Sequence, residues 1–188
     1  MSWEAMTAIG TFITSFVLAA AAIAAIIQLR HTRGSNQIIA LTECRETIES
    51  REFSESQRFV SFELPKRFGD ADECRRMAVV PFSGEYEAIG TVANFFESMG
   101  LFVKTGIIDR RIACDFWSYI VMRNWNALLP ITTYARYKLA APQLWENFEY
   151  LAALSKQHMD ENPSVYPSGV PRMPEDRSLI DAIGTLNN

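Results

Sequence analysis

The chain has 188 residues, a formal net charge of −4 and a sequence pI near 5.3. That balance argues against the basic stripe of a nucleic-acid binder and against a polybasic lipid-binding surface beyond a few arginines. Setting aside an apolar N-terminus and a Pro-rich end leaves roughly 130 residues, one domain with its own core. The expected division is residues 1–30 as anchor, 31–160 as helical domain and 161–188 as tail.

Between Glu4 and Arg30 no side chain is charged. A helix from Ala5 to Ile27 rises about 35 Å at 1.5 Å per residue, enough to cross a hydrocarbon core of about 30 Å with some tilt. Trp3 at one end and Gln28, Arg30, His31 and Arg33 at the other suit polar interfaces. A cleaved signal peptide would carry a basic start and a shorter apolar run, although the alanines offer A-x-A triplets. An interfacial helix would need a charged face, and an all-round apolar core helix is rare in so small a domain. The expectation is a single transmembrane helix in contact with the bilayer through residues 5–27. Arg30, Arg33 and Arg45 follow it and Glu4 precedes it, so the positive-inside rule puts Met1 outside and the rest in the cytoplasm. Small residues at three- and four-residue steps mark a candidate helix-packing face. They are Thr7, Gly10 and Thr14, with Thr11, Ser15, Ala19 and Ala22 adjoining, and their hydroxyls can bond across helices.

Residues 31–36 form a polar junction at which Gly34 is either a hinge or a point the helix runs through. From Gln37 the apolar steps Ile38, Leu41, Cys44 and Ile48, continued by Phe53, Phe59, Val60 and Phe62, predict one long amphipathic helix ended by Pro65. Asp70 opens a shorter helix through Val80, stopped by Pro81. Ser83 caps the next, whose stripe includes Tyr86, Ile89, Val92, Phe96, Met99 and Val103, with Gly106 as its stop. Asp109 caps a fourth helix facing Ile112, Phe116, Trp117, Ile120 and Val121, which completes an αα-hairpin. Pro130 should kink or divide this helix. Pro142 fits the first turn of a fifth, with Leu144, Trp145, Phe148 and Leu151 buried, fading near Asn162. Four prolines make residues 162–174 an extended tail or a strap on the domain, and Ser178 to Leu186 suits one last short helix. No period-two alternation appears. The fold class is all-α: one N-terminal transmembrane helix, then a cytoplasmic bundle of about five helices.

Chemistry is sparse. Cys44, Cys74 and Cys114 lack a C-x-x-C and read as reduced thiols on helix faces. His31 and His158 are the only histidines and lie far apart, so no metal site is expected. There is no G-x-S-x-G, no Gly-rich phosphate loop and no H-E-x-x-H, and no cofactor is expected. Pro171 to Pro174 matches P-x-x-P, a loose pattern. The densest polar set is Asn94, Glu97, Asp115, Arg123 and Arg136, interleaved with Trp117 and Trp125 and followed by Trp145, Glu146 and Glu149. It reads either as a ligand or partner groove, with the arginines holding an anion, or as ion pairs between amphipathic helices around a tryptophan core.

The segments IIQLR (Ile26–Arg30), NFFESMGLFVKTGIID (Asn94–Asp109), Trp125 to Arg136 and LWENFEYL (Leu144–Leu151) together resemble a family of bacterial proteins of unknown function. That resemblance covers most of the chain and implies one N-terminal span, a small helical cytoplasmic domain and a bacterial inner-membrane location. It implies no activity, ligand or catalytic residue. The function expected is a tethered interaction or regulatory module that binds a protein partner or itself, without catalysis. The alternative is a membrane-associated enzyme or anionic-ligand sensor using the Glu97, Asp115, Arg123 and Arg136 set. A pore-forming toxin is disfavoured by the single span.

Overall fold

A computed structural model describes residues 2–77 and 79–180. Those residues are helical or irregular, with no strand, and hold six α-helices: α1 (Trp3–Glu49), α2 (Arg51–Arg58), α3 (Ala71–Met77), α4 (Glu87–Lys104), α5 (Arg110–Leu139) and α6 (Glu146–Glu161). The last helix expected, from Ser178 to Leu186, lies mostly outside the described residues.

The 47-residue α1 does not hinge at Gly34. A glycine inside a helix costs about 1 kcal/mol relative to alanine, too little to interrupt a continuous ladder of backbone bonds. At 1.5 Å per residue α1 is about 70 Å long. It ends at Ser50, well short of the Pro65 stop expected from the apolar steps. The Ser50 hydroxyl donates to the Thr47 carbonyl at 2.8 Å and accepts from the Phe53 N–H at 3.2 Å, closing α1 and opening α2. The redirected chain delivers Phe53, 2% exposed, against Phe95 and Phe96, with ring centroids 4.8 and 6.2 Å away. A π-helical turn over Phe59–Glu63 and a 3-10 turn over Leu64–Arg67 follow, and both Val60 and Leu64 are fully buried.

Asp70 caps α3 by accepting the Asp72 and Glu73 N–H groups at 2.8 and 3.1 Å, and α3 stops at Met77 rather than Val80. Ser83 makes no side-chain cap. It precedes a 3-10 turn, Gly84–Tyr86, that leads into α4. Arg67 ties this stretch together, its guanidinium 2.9 Å from Glu73 and 2.7 Å from Glu85.

α4 is the centre of the domain, packed by α2, α5 and α6, with Ile89, Val92, Ala93, Phe96 and Met99 each at most 1% exposed. At its end Gly106 takes φ +74 while Gly106 and Ile107 N–H bond the Val103 and Phe102 carbonyls, the paired bonds of a Schellman stop. Asp109 accepts the Arg111 and Ile112 N–H groups at 2.9 and 3.0 Å and starts α5, completing the expected αα-hairpin. Pro130 does not divide α5. The carbonyl it leaves without a helical donor belongs to Asn126, and both residues lie on the exposed side of α5, where solvent can reach them. Pro142 is not in a helical first turn. α5 closes with Ala140 in the left-handed region at φ 50, residues 142–145 form turns, and α6 begins at Glu146.

Candidate functional site

The polar set read as a groove divides between the two ends of α5. Asp115 and Arg136 are 21 residues apart on one helix, about 30 Å of rise, so no small ligand touches both.

At one end, Asn94, Glu97 and Arg136 converge on the turn into α6. Trp145, the residue before α6, sits at φ 55 and offers no side-chain cap. The carboxylate of Glu97 on α4 substitutes, accepting the Phe148 N–H at 2.8 Å and the Asn147 side-chain amide at 2.7 Å. A negative group at a helix N-terminus is also favoured by the helix dipole. Asn94 accepts the Trp145 indole N–H at 3.0 Å, while Arg136 donates to the Leu144 carbonyl at 2.8 Å and to Glu149 at 2.7 Å. These bonds tie the α4–α5–α6 junction together, while Arg136 Nη2 is buried there without a hydrogen-bond partner among the described residues. Beside them Gly100 lets α6 approach so closely that an added Cβ would lie 2.0 Å from the Asn147 carbonyl oxygen.

Trp125 packs edge-on to Phe148 at 5.0 Å and is core. Arg123 is half-buried, and its Nε has no hydrogen-bond partner among the described residues.

At the other end, Asp115 lies 3.9 Å from Arg111, and its Oδ1 is 2.9 Å from His158 Nε2 on α6, off the hydrogen-bonding axis. Nothing in the sequence signalled this pairing, because the partners are 43 positions apart on different helices. They border a cleft of about 500 Å³ that the Pro-rich segment helps to wall. Within the segment the Tyr166 hydroxyl donates to the Pro171 carbonyl at 3.0 Å, and the Arg172 guanidinium lies 4.7 Å over the Tyr166 ring. Cys114 also borders the cleft, which places a thiol, an imidazole and a carboxylate near one another. Burial pushes the Cys114 thiol up from its ordinary value, opposite to what a thiolate nucleophile needs. The constellation therefore does not read as a cysteine hydrolase site.

Trp117, the remaining member of the set, is buried where α5 meets the base of α1. There Ile38, Leu41, Thr42 and Arg45 of α1 and Phe116 and Trp117 of α5 wall a second cavity of about 210 Å³. Beyond this foot α1 leaves the domain. Its N-terminal part is long and apolar enough to cross a membrane, and none of its most apolar 18-residue window is buried. The candidate packing face lies on this exposed part, and its threonine hydroxyls are engaged within their own helix. Thr7, Thr11 and Thr14 donate to the carbonyls of Trp3, Thr7 and Gly10 at 3.1, 3.0 and 2.8 Å. Gly10, Ser15, Ala19 and Ala22 are exposed.

Among the described residues no group of three or more His, Cys, Asp or Glu side chains could hold a metal ion. A family model described as a domain of unknown function, DUF4760, matches residues 15–155. No curated protein and no solved structure matches the chain.

Proposed function

We propose, given that this chain belongs to the DUF4760 family of unknown function, that it is a membrane-tethered helical interaction or regulatory module. In this reading α1 crosses a bacterial inner membrane once, with Met1 outside. The domain of α2–α6 stands at the cytoplasmic face, where it binds a protein partner or a second copy of itself. One observation carries the reading: the apolar half of α1 is exposed on every side. Phe12, Phe16 and Leu18 are 73%, 69% and 65% exposed. Each such side chain left in water forgoes about 1.5–3 kcal/mol of transfer free energy, and hydrocarbon removes that cost while the helix satisfies its own backbone. Direction comes from Arg30, Arg33 and Arg45 after the span against Glu4 before it. Most polar groups around the α6 turn, the Glu97 carboxylate and Arg136 Nε and Nη1 among them, bond one another, which favours a binding module over an enzyme or anion sensor.

The test is fractionation of cells expressing the full chain, with alkaline carbonate washing and accessibility of cysteines placed at Ser2 and Ser168. The expected result is retention in the membrane, Ser2→Cys labelled from outside and Ser168→Cys only after permeabilisation. Release by carbonate overturns the tether, and the inverse labelling overturns the orientation. Crosslinking in native membranes then tests binding: a chain that stays monomeric with no stoichiometric neighbour overturns the interaction role.

A further inference from the structure

We infer that α1 pairs in parallel with α1 of a second copy of this chain, along a seam that runs out of the membrane and ends at the crevice beside Phe116. The inference rests on the membrane-spanning reading above.

The seam is a seven-residue repeat. Gly10, Val17, Ala24, His31 and Ile38 fall at steps of seven, and Ile27 and Gly34 fall three positions after Ala24 and His31. Such a stripe drifts about 20° per heptad around a straight helix, so two copies that keep it in contact wind left-handed. Gly10 and Gly34 are notches in this face: a Cβ added at either meets nothing within 4 Å. No contact inside the chain explains a residue that weakens a helix, whereas close approach of another backbone does. Past the span the face carries His31 before Gly34 and Ile38 and reaches Arg45 at its end. Ile38 is 66% exposed and leads into the 210 Å³ crevice, whose outer wall is Phe116, 71% exposed.

A second copy is the occupant that fits. The stripe crosses two solvents, and a partner must present apolar and small residues at the same heights in both. Two copies inserted the same way bring each height against itself. From Met6 to Arg45 the seam is about 58 Å long, and a helix is about 10 Å wide. Covering it buries about 600 Å² a side, about 1,200 Å² in all, at the threshold of a stable interface.

The test is disulfide trapping of the full-length chain in its native membrane, in a Cys74→Ser background where Cys44 and Cys114 stay buried. Single substitutions Ile27→Cys, Gly34→Cys and Ile38→Cys are compared with Leu29→Cys and Asn36→Cys on the opposite face. Trapping needs Cα atoms within about 7 Å. The expected result is dimer from the seam positions and none from the other two, with loss of the Ile38→Cys dimer when Gly34→Leu is added. Gly34 lies outside the domain core, so an unchanged thermal unfolding of the domain shows that this variant still folds. Equal trapping on both faces, or none from a chain retained in the membrane, overturns the seam and leaves the tether standing. A chain found in the soluble fraction overturns both.

Discussion

Replacing Gly100 by alanine probes the tightest contact in the domain. The new Cβ would stand 2.0 Å from the Asn147 carbonyl oxygen and 2.6 Å from its carbonyl carbon. Ordinary contact begins at 3.4 Å, so α4 and α6 must separate by about 1.4 Å there (3.4 − 2.0). The obstacle is main chain in the first turn of α6 and cannot rotate aside. Overpacking of this kind costs about 1–3 kcal/mol. The same displacement stretches the 2.8 Å bond from Phe148 N–H to the Glu97 carboxylate, and a bond to a charged group contributes about 1.5–3 kcal/mol. Against these stands the roughly 1 kcal/mol a helix gains when glycine becomes alanine. The balance is a loss of about 2–4 kcal/mol, or on the order of 10 °C in the unfolding temperature of a domain this size. Circular dichroism melts of the full chain in detergent measure it, with Gly34→Ala as the control, since its Cβ meets nothing and the domain should melt unchanged. A Gly100→Ala protein as stable as the parent would refute the close packing of α4 on α6.

Glu97→Ala leaves the start of α6 uncapped and should cost about 1–3 kcal/mol, while Glu97→Gln, which can still accept the Phe148 N–H, should lose less; chemical denaturation separates the two. Ala140 holds a left-handed conformation at φ 50 that costs a residue with a Cβ about 1–2 kcal/mol, so Ala140→Gly should raise the melting temperature despite glycine's greater chain entropy. Burial pushes the thiols of Cys44 and Cys114 up, so near neutral pH the native protein should alkylate readily at Cys74 alone, with the other two reacting only on unfolding, as mass spectrometry will count. Bonds from the Glu73 and Asp72 N–H groups hold the Asp70 carboxyl below its ordinary value. That capping contribution is fully present above the unfolded-state value and is lost as pH falls through the lower folded one; acid titration by NMR should show α3 amides loosening there, whereas in Asp70→Ala they are loosened at every pH and this step is missing.

Residues whose partners are close in sequence were legible. The uncharged stretch after Glu4, the Asp70 and Asp109 caps, the Gly106 stop and the α4 stripe all follow from backbone bonding and helical period, which operate over a few residues. Ser50 escaped because a serine between Glu49 and Arg51 looks like any position on a polar helix face until its hydroxyl is seen bonding both ways. Pro142 misled for the converse reason: Glu97, about 50 positions away in the chain, helps decide where α6 begins. The polar set illustrates the limit of spacing as a guide. Its residue types suit an anion site, but α5 is long enough to carry Asp115 about 30 Å from Arg136, and only tertiary packing set Asp115 beside His158 and Glu97 beside the start of α6. By itself, then, the sequence determined an apolar N-terminal helix and an all-helical body, because hydropathy and periodicity are written locally. The three-dimensional packing decided that this helix continues unbroken to a foot at Ala40 and Cys44 while its apolar half stays bare, since burial belongs to surfaces that meet and not to residues in order.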